Sequence, residues 1–278
     1  MKKHLRYIPL TLLALLVWWP CWYILMGTLQ SPEELNLTVG PVLSGEGHAI
    51  WTILPTWPTV QPMVQLMLDS PGFWDTFWNT CLLTLPQVLG QLVIGTPAAW
   101  ALSRLRFRGR KPLIGLYILL MILPFQVTMT PNFLILDSLG LMDTVWAVIL
   151  PGIFSTFPVF IMMRFFDSVP REMMDAANLD GASQWNIFWH IGIPMGRAGI
   201  IAALVLTFLE GWGAVEQPMT FLRDEPLWPL SLRIPQFTGD ELPLAMTAAF
   251  AALIPAALVF RLGQKYLELG LGGATMEQ

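Results

Sequence analysis

Long apolar runs separated by short polar pieces set the pattern of this chain. The runs are Ile8–Leu29, Trp74–Leu102, Leu113–Leu136, Val145–Phe165, Ala198–Val215 and Leu244–Leu262. A membrane-spanning helix needs about 20 mostly apolar residues, so the pattern predicts an all-α polytopic membrane protein with six transmembrane helices. One membrane domain over residues 1–278 is the simplest partition, because no repeat or low-complexity tract divides it. The polar pieces then become loops 30–73 and 216–243 on one side, and the "RLRFRGRK" turn, the loop 167–196 and the tail 263–278 on the other. Prolines in "WTILPTWPTVQP" favour extended or turning backbone, with a short helix expected near Met63–Leu68.

Composition agrees with the pattern: 55% of residues are hydrophobic and 12% charged, with a mean hydropathy of +0.59. The first run follows "MKKHLRY", keeps bulky Trp and Tyr and lacks a small-residue cleavage site, so it reads as a retained helix rather than a signal peptide. Basic residues gather beside cytoplasmic membrane faces. Lys2, Lys3 and Arg6, the run Arg104–Lys111, then Arg164, Arg171, Arg197, Arg261 and Lys265 fall on one side, and only Arg223 and Arg233 on the other. Both termini and the loop 167–196 are therefore expected inside the cell. Glu33, Glu34, Glu46, Asp69, Asp224, Glu225, Asp240 and Glu241 fill the outer loops, so the net charge of -4 averages two unlike faces. Between spans, the run from Arg104 to Lys111 reads as a tight turn held by anionic headgroups, not as a nucleic-acid patch. Cys21 and Cys81 lie inside spans and imply neither a disulfide framework nor a metal site.

The least hydrophobic stretch in the second half, "REMMDAANLDGASQWNIFWHIGIP" (171–194), is the most informative. Ser168 or Val169 with Pro170 provides a helix start, and a helix should run to about Asp180. Gly181 can take a positive φ, which ends that helix and turns the chain at once into another. The second, from Ser183 to about Ile191, puts Trp185, Phe188 and Trp189 on one face, and Pro194 should end it and start the next span. Ala176, Ala177 and Gly181 would leave close backbone approach for whatever docks. The same pair of helices could instead lie passively in the headgroups.

The spacing Asp175-Ala176-Ala177, three residues, Gly181, nine residues, Ile191-Gly192-Ile193-Pro194 resembles the cytoplasmic loop of bacterial ABC importer permeases. That loop reads Glu-Ala-Ala, three residues, Gly, nine residues, Ile-x-Leu-Pro. "PEEL" (32–35), "ILPTWPT" (53–59), "WNT" (78–80), "RFRGRK" (106–111), "PNFLILDSLGLMDT" (131–144) and "QKYLELGLGG" (264–273) extend the likeness to the carbohydrate branch, the maltose-type permeases. Trp212-Gly213 and Pro218-Met219 depart from the Trp-Asn and Pro-Leu common there. The resemblance implies that Asp175, Ala176, Ala177, Asp180, Gly181, Ile191 and Pro194 form a coupling loop docked in a cytoplasmic ATPase dimer. It also implies a second homologous permease, an extracytoplasmic solute-binding protein, an inner-membrane location, and a tail in which Gly270, Gly272 and Gly273 reach between the ATPase subunits. A frayed terminus accounts for that tail equally well.

No phosphate-cradling Gly-rich loop ending in Lys and Ser or Thr occurs, so ATP and Mg would sit on the partner ATPase and this chain would bind no cofactor. His4, His48 and His190 are scattered and no nucleophile-type turn exists, so neither a catalytic nor a metal site is expected. Glu210 is the one acidic residue deep in a span, where a carboxylate is costly unless it faces a cavity or a partner. Glu210 and Trp212 are the candidates for the solute path, with Trp228 a further candidate for the path or for docking. Trp18, Trp19, Trp22, Trp74, Trp78 and Trp100 sit near span ends and fit an aromatic belt. A carrier driven by an ion gradient, with Glu210 as the coupling carboxylate, is the competing reading. It predicts several intramembrane ionisable residues and discontinuous spans, and one buried carboxylate and a docking-type loop argue against it.

Overall fold

The structure, a computed structural model, describes residues 7–43, 45, 47–237 and 241–272. Lys2, Lys3, Arg6, Glu46, Asp240 and Gly273 lie outside the described residues. Among those residues every regular element is a helix. In chain order they are α1 (Tyr7–Gly27), α2 (Pro32–Thr38), α3 (Gly40–Leu43), α4 (Gln61–Leu68), α5 (Pro71–Arg104), α6 (Arg110–Ile122) and α7 (Phe125–Ser138). Then follow α8 (Val145–Ile153), α9 (Thr156–Asp167), α10 (Arg171–Leu179), α11 (Gln184–Trp212), α12 (Glu216–Phe221), α13 (Leu230–Arg233) and α14 (Leu242–Gly272). Five stretches are long and apolar enough to cross a membrane, α1, α5, α8 with α9, α11 and α14, and the bent pair α6 and α7 makes a sixth if it counts as one span.

Five spans depart from the straight helices read in the sequence, and proline chemistry explains three. The expected span Leu113–Leu136 is broken, with α6 and α7 meeting at 110°. Leu123 is extended (ψ 128°), as the residue before a proline prefers to be. Pro194 does not end the second loop helix. Its ring would meet the carbonyl of the residue four back, His190, but that residue lies in a wider π-turn, Phe188–Gly192, and α11 continues from Gln184 to Trp212 without a stop. Pro97 follows the π-turn Gln91–Gly95 in α5 in the same way. The last helix extends past Leu262 to Gly272, so Gly270 and Gly272 belong to its final turn. In the loop 30–73, α4 is close to the expected helix, while α2 was not foreseen. Pro32 occupies its first turn, where no N–H is needed, and the Ser31 hydroxyl accepts from Glu34 N at 3.2 Å.

The chain forms two compact units, one from the N-terminal part through Trp78 with Pro229–Pro255, the other from Asn79–Trp228 with the chain after Ala256. In the first, the long loop is tied down by Trp22 Nε1 donating to Ile53 O (3.0 Å) and Gln30 Nε2 to Thr52 Oγ1 (2.8 Å). In the second, Asp143, at φ 61°, accepts from the backbone N–H groups of Arg223 (2.6 Å) and Asp224 (3.0 Å). Those two bonds hold its carboxyl below the usual carboxylate range. Asn79, from the "WNT" stretch, donates to the carbonyls of Pro226 (2.6 Å) and Trp228 (3.2 Å).

The core of the second unit lies where α5, α9 and α11 meet around Trp100, Met162, Phe166, Ile187, Phe188 and Ala203. Trp100 is therefore buried, 4% exposed, and is no part of an aromatic belt. Trp18 and Trp78 are exposed, in keeping with one. A break inside a span frees carbonyls that lipid cannot satisfy. Between α8 and α9 that need is met by fully buried Gln91, whose Nε2 donates to the carbonyls of Gly152 (3.2 Å), Ile153 (2.9 Å) and Ser155 (2.9 Å).

Gln91→Leu keeps similar bulk but strands those acceptors, at a cost of about 1–3 kcal/mol. The expected outcome is a lower midpoint for unfolding by dodecyl sulfate in mixed micelles. An unchanged midpoint would contradict this role for the amide.

Candidate functional site

The segment between α9 and α11 is mounted on helix ends that are themselves fastened. The Arg104 guanidinium donates to the carbonyls of Phe166 and Val169, at the end of α9. Ser103 Oγ donates to Asp167 Oδ1 at 2.7 Å. Arg110 turns back, with Gly109 at φ 90°, and donates to the carbonyls of Leu102 (2.6 Å) and Ser103 (2.7 Å). Two arginines of the run expected to hold lipid headgroups thus cap helix C-termini, where a cation meets unpaired carbonyls and the negative end of the dipole.

Helix α10 starts directly after Pro170 with no side-chain cap, and Ser168 Oγ donates backwards to Phe165 O instead (2.7 Å). Its other end is fully closed. Gly181, at φ 80°, donates its N–H to Asn178 O (3.1 Å), and Ala182 N donates to Ala177 O (3.0 Å). This is the Schellman arrangement, with the apolar pair Ala177 and Ala182 turned toward the core. The next helix starts at once: Ser183 Oγ accepts from Asn186 N at 3.2 Å, and Gln184 Nε2 crosses to Asn178 Oδ1 at 2.9 Å.

Beneath the loop, Ile187 and Phe188 are 1% and 2% exposed. The Phe188 ring lies 5.8 Å from Trp100, which meets Phe166 edge-on at 5.3 Å. Of the residues expected to dock, Asp175, Ala176, Asp180, Gly181 and Pro194 are exposed. Ala177 and Ile191 are partly buried against the core. The outward surface also carries Leu179, 90% exposed, with Trp185 and Trp189 about half exposed. Leu179 was missed because motif spacing, not exposure, guided the reading. Also missed was the run Gly192, Gly196 and Gly199 on α11, a small-residue pattern of helix contact. A methyl group on Gly192 would stand 2.7 Å from Trp100, and on Gly196 or Gly199 would overlap Phe166 or Phe165.

A second feature is a cavity of about 520 Å³. Glu210 lines it, together with Gln87, Asn132, Ser155 and Thr156. Trp212 is not among its lining residues; it is buried and stacked on Phe208 with centroids 5.4 Å apart. Trp228 donates to Leu222 O at 3.2 Å and packs beside Val148 and Leu222. Gly273, the third tail candidate, lies outside the described residues. Among the described residues no group of side chains could hold a metal ion.

The sequence matches the family model for the binding-protein-dependent transport system inner membrane component over residues 91–272. It is 26% identical to the arabinooligosaccharides transport system permease protein AraQ of Bacillus subtilis, over 94% of this chain and 90% of that one. It is 27% identical to the sulfoquinovosyl glycerol transport system permease protein SmoH of Agrobacterium fabrum, over 97% and 92%. The fold matches a chain of a bacterial ABC transporter that imports the acidic polysaccharide alginate, with a TM-score of 0.81 at 22% identity, covering 95% of this chain and 96% of that one.

Phe188→Ala empties the aromatic contact under the loop, a change that costs about 3–5 kcal/mol in a packed core. The expected outcome is faster cleavage between α10 and α11 in limited proteolysis of the membrane-bound protein. Cleavage at the original rate would show that Phe188 does not hold the loop.

Proposed function

Because this chain belongs to the family of binding-protein-dependent transport system inner membrane components, a multi-pass permease subunit rather than an enzyme, we propose that it forms half of a carbohydrate path driven by a separate ATPase. The observation that carries the proposal is the mounting of the loop Arg171–Pro194. Its outward face presents Asp175, Ala176, Leu179 and Gly181, while its inward face is fixed through Phe188 to Trp100 and Phe166. A protein pressing on that face would move α11 directly, because the second loop helix and the span are one continuous helix.

The partners proposed are an ATPase dimer in the cytoplasm, carrying the ATP and Mg, a second permease completing the path, and an extracytoplasmic solute-binding protein. With the basic turn Arg104–Lys111 and the loop 171–194 on the ATPase side, both termini lie in the cytoplasm. The sugar-named relatives and a cavity lined by amides, hydroxyls and carboxylates support a carbohydrate solute. Alternating exposure of that cavity would follow from movement of α11, which contributes Thr207, Glu210 and Gly211 to its wall.

Gly181→Asp tests the coupling. Open space surrounds the position, and the left-handed backbone costs an L-residue only about 1–2 kcal/mol, less for Asp. The complex should therefore still assemble, while a new charged side chain stands on the docking face. The expected outcome is intact co-purification of all subunits with solute uptake reduced to background. Normal uptake would refute the coupling assignment.

A further inference from the structure

The chemistry of the cavity points to the class of solute, an inference that rests on the transport reading above. Its lining residues include two carboxylates, Glu210 and Glu216, and no lysine, arginine or histidine. Glu216 is engaged, since Gln126 Nε2 donates to both of its oxygens at 2.9 and 3.0 Å. Glu210 is exposed and makes no hydrogen bond or ion pair among the described residues. It stands in the last turn of α11, facing the cavity.

A second wall group has the same bias. Gln87 is 5% exposed, and its Nε2 donates to Leu83 O at 2.8 Å. Its Oε1 points at Gly152 and Gly211, which also line the cavity, and takes no donor among the described residues. Asn132, Ser155 and Thr156 add an amide and two hydroxyls to the wall, so the polar groups there other than the two carboxylates are all neutral. Carboxylates, amides and hydroxyls suit the hydroxyls of a polyol, and exposed Phe154 and Phe157 add apolar ring surface beside them. A phosphate, sulfonate or carboxylate would instead meet like charge with no cation in the wall to offset it.

We propose that this cavity takes an uncharged polyhydroxylated solute and turns away anionic ones, with Glu210 setting the charge preference. The distinction matters because the relatives divide on it: arabinooligosaccharides are neutral sugars, whereas sulfoquinovosyl glycerol and alginate are acidic.

The test needs no knowledge of the natural solute. Ser155 lines the cavity and its hydroxyl caps no helix. Ser155→Cys, in a chain also carrying Cys21→Ser and Cys81→Ala, places one thiol there. The assembled complex in detergent is treated with two methanethiosulfonates, one carrying a neutral glucosyl group and one an anionic sulfonatoethyl group. Each rate is divided by that reagent's rate with a small thiol in solution. The expected result is that the anionic reagent lags the neutral one by about tenfold or more, since facing like charges cost several kcal/mol. Glu210→Gln should remove the lag, Glu210→Asp should keep it, and added salt should shrink it. Equal normalised rates, a lag that survives Glu210→Gln, or a thiol that reacts with neither reagent would each overturn the proposal. These rates involve no ATP and no uptake, so their failure leaves the importer reading standing. Failure of Gly181→Asp to stop uptake would leave the rates unaffected.

Discussion

The close approach of α9 and α11 is the contact on which the rest depends. Lipid offers no hydrophobic force to press two helices together, so they associate where small residues let surfaces meet. Gly192, Gly196 and Gly199 provide such a surface, and Trp100, Phe166 and Phe165 fill it with no room for a methyl group. Because the contact is tight, a push on the loop would not be absorbed by sliding. Ile187 and Phe188 carry the same packing outward to the exposed face of the loop.

The second constraint is that every backbone group freed by a break or an end needs a partner inside a membrane. This chain breaks its helices repeatedly and meets the need with a few polar side chains. Gln91 serves the break between α8 and α9, Arg104 the end of α9 and Arg110 the end of α5. Two π-turns let Pro97 and Pro194 sit in continuous helices. These devices place irregular backbone beside the cavity and beside the loop, where a transport cycle needs shape change.

Much of this architecture was legible in the sequence, because apolar run length reports spans directly and Gly181 announces a left-handed turn. The loop motif was legible for a different reason: its spacing resembles that of a known permease loop. What stayed hidden was set by tertiary contact. Leu113–Leu136 has the composition of one span, and only the geometry at Pro124 reveals the bend. Trp100 has the position of a belt residue, but the glycines on α11 draw it into the core. Pro194 looked like a stop because local rules for proline do not anticipate a wider preceding turn. Glu210 was flagged as costly at its depth, while a wall with two carboxylates and no cation emerges only when residues from α5, α7, α9, α11 and α12 are brought to one cavity.

The most direct measurement is the distance between spin labels at Leu179→Cys on the exposed face of the loop and Val215→Cys just beyond α11, taken by electron–electron double resonance on the assembled importer with Cys21 and Cys81 replaced. Loop and span should move as one body, so the account predicts one narrow distance distribution that is the same without nucleotide and with ATP and vanadate. A nucleotide-dependent shift or splitting of that distribution would show that the loop flexes against the span, and would contradict the account.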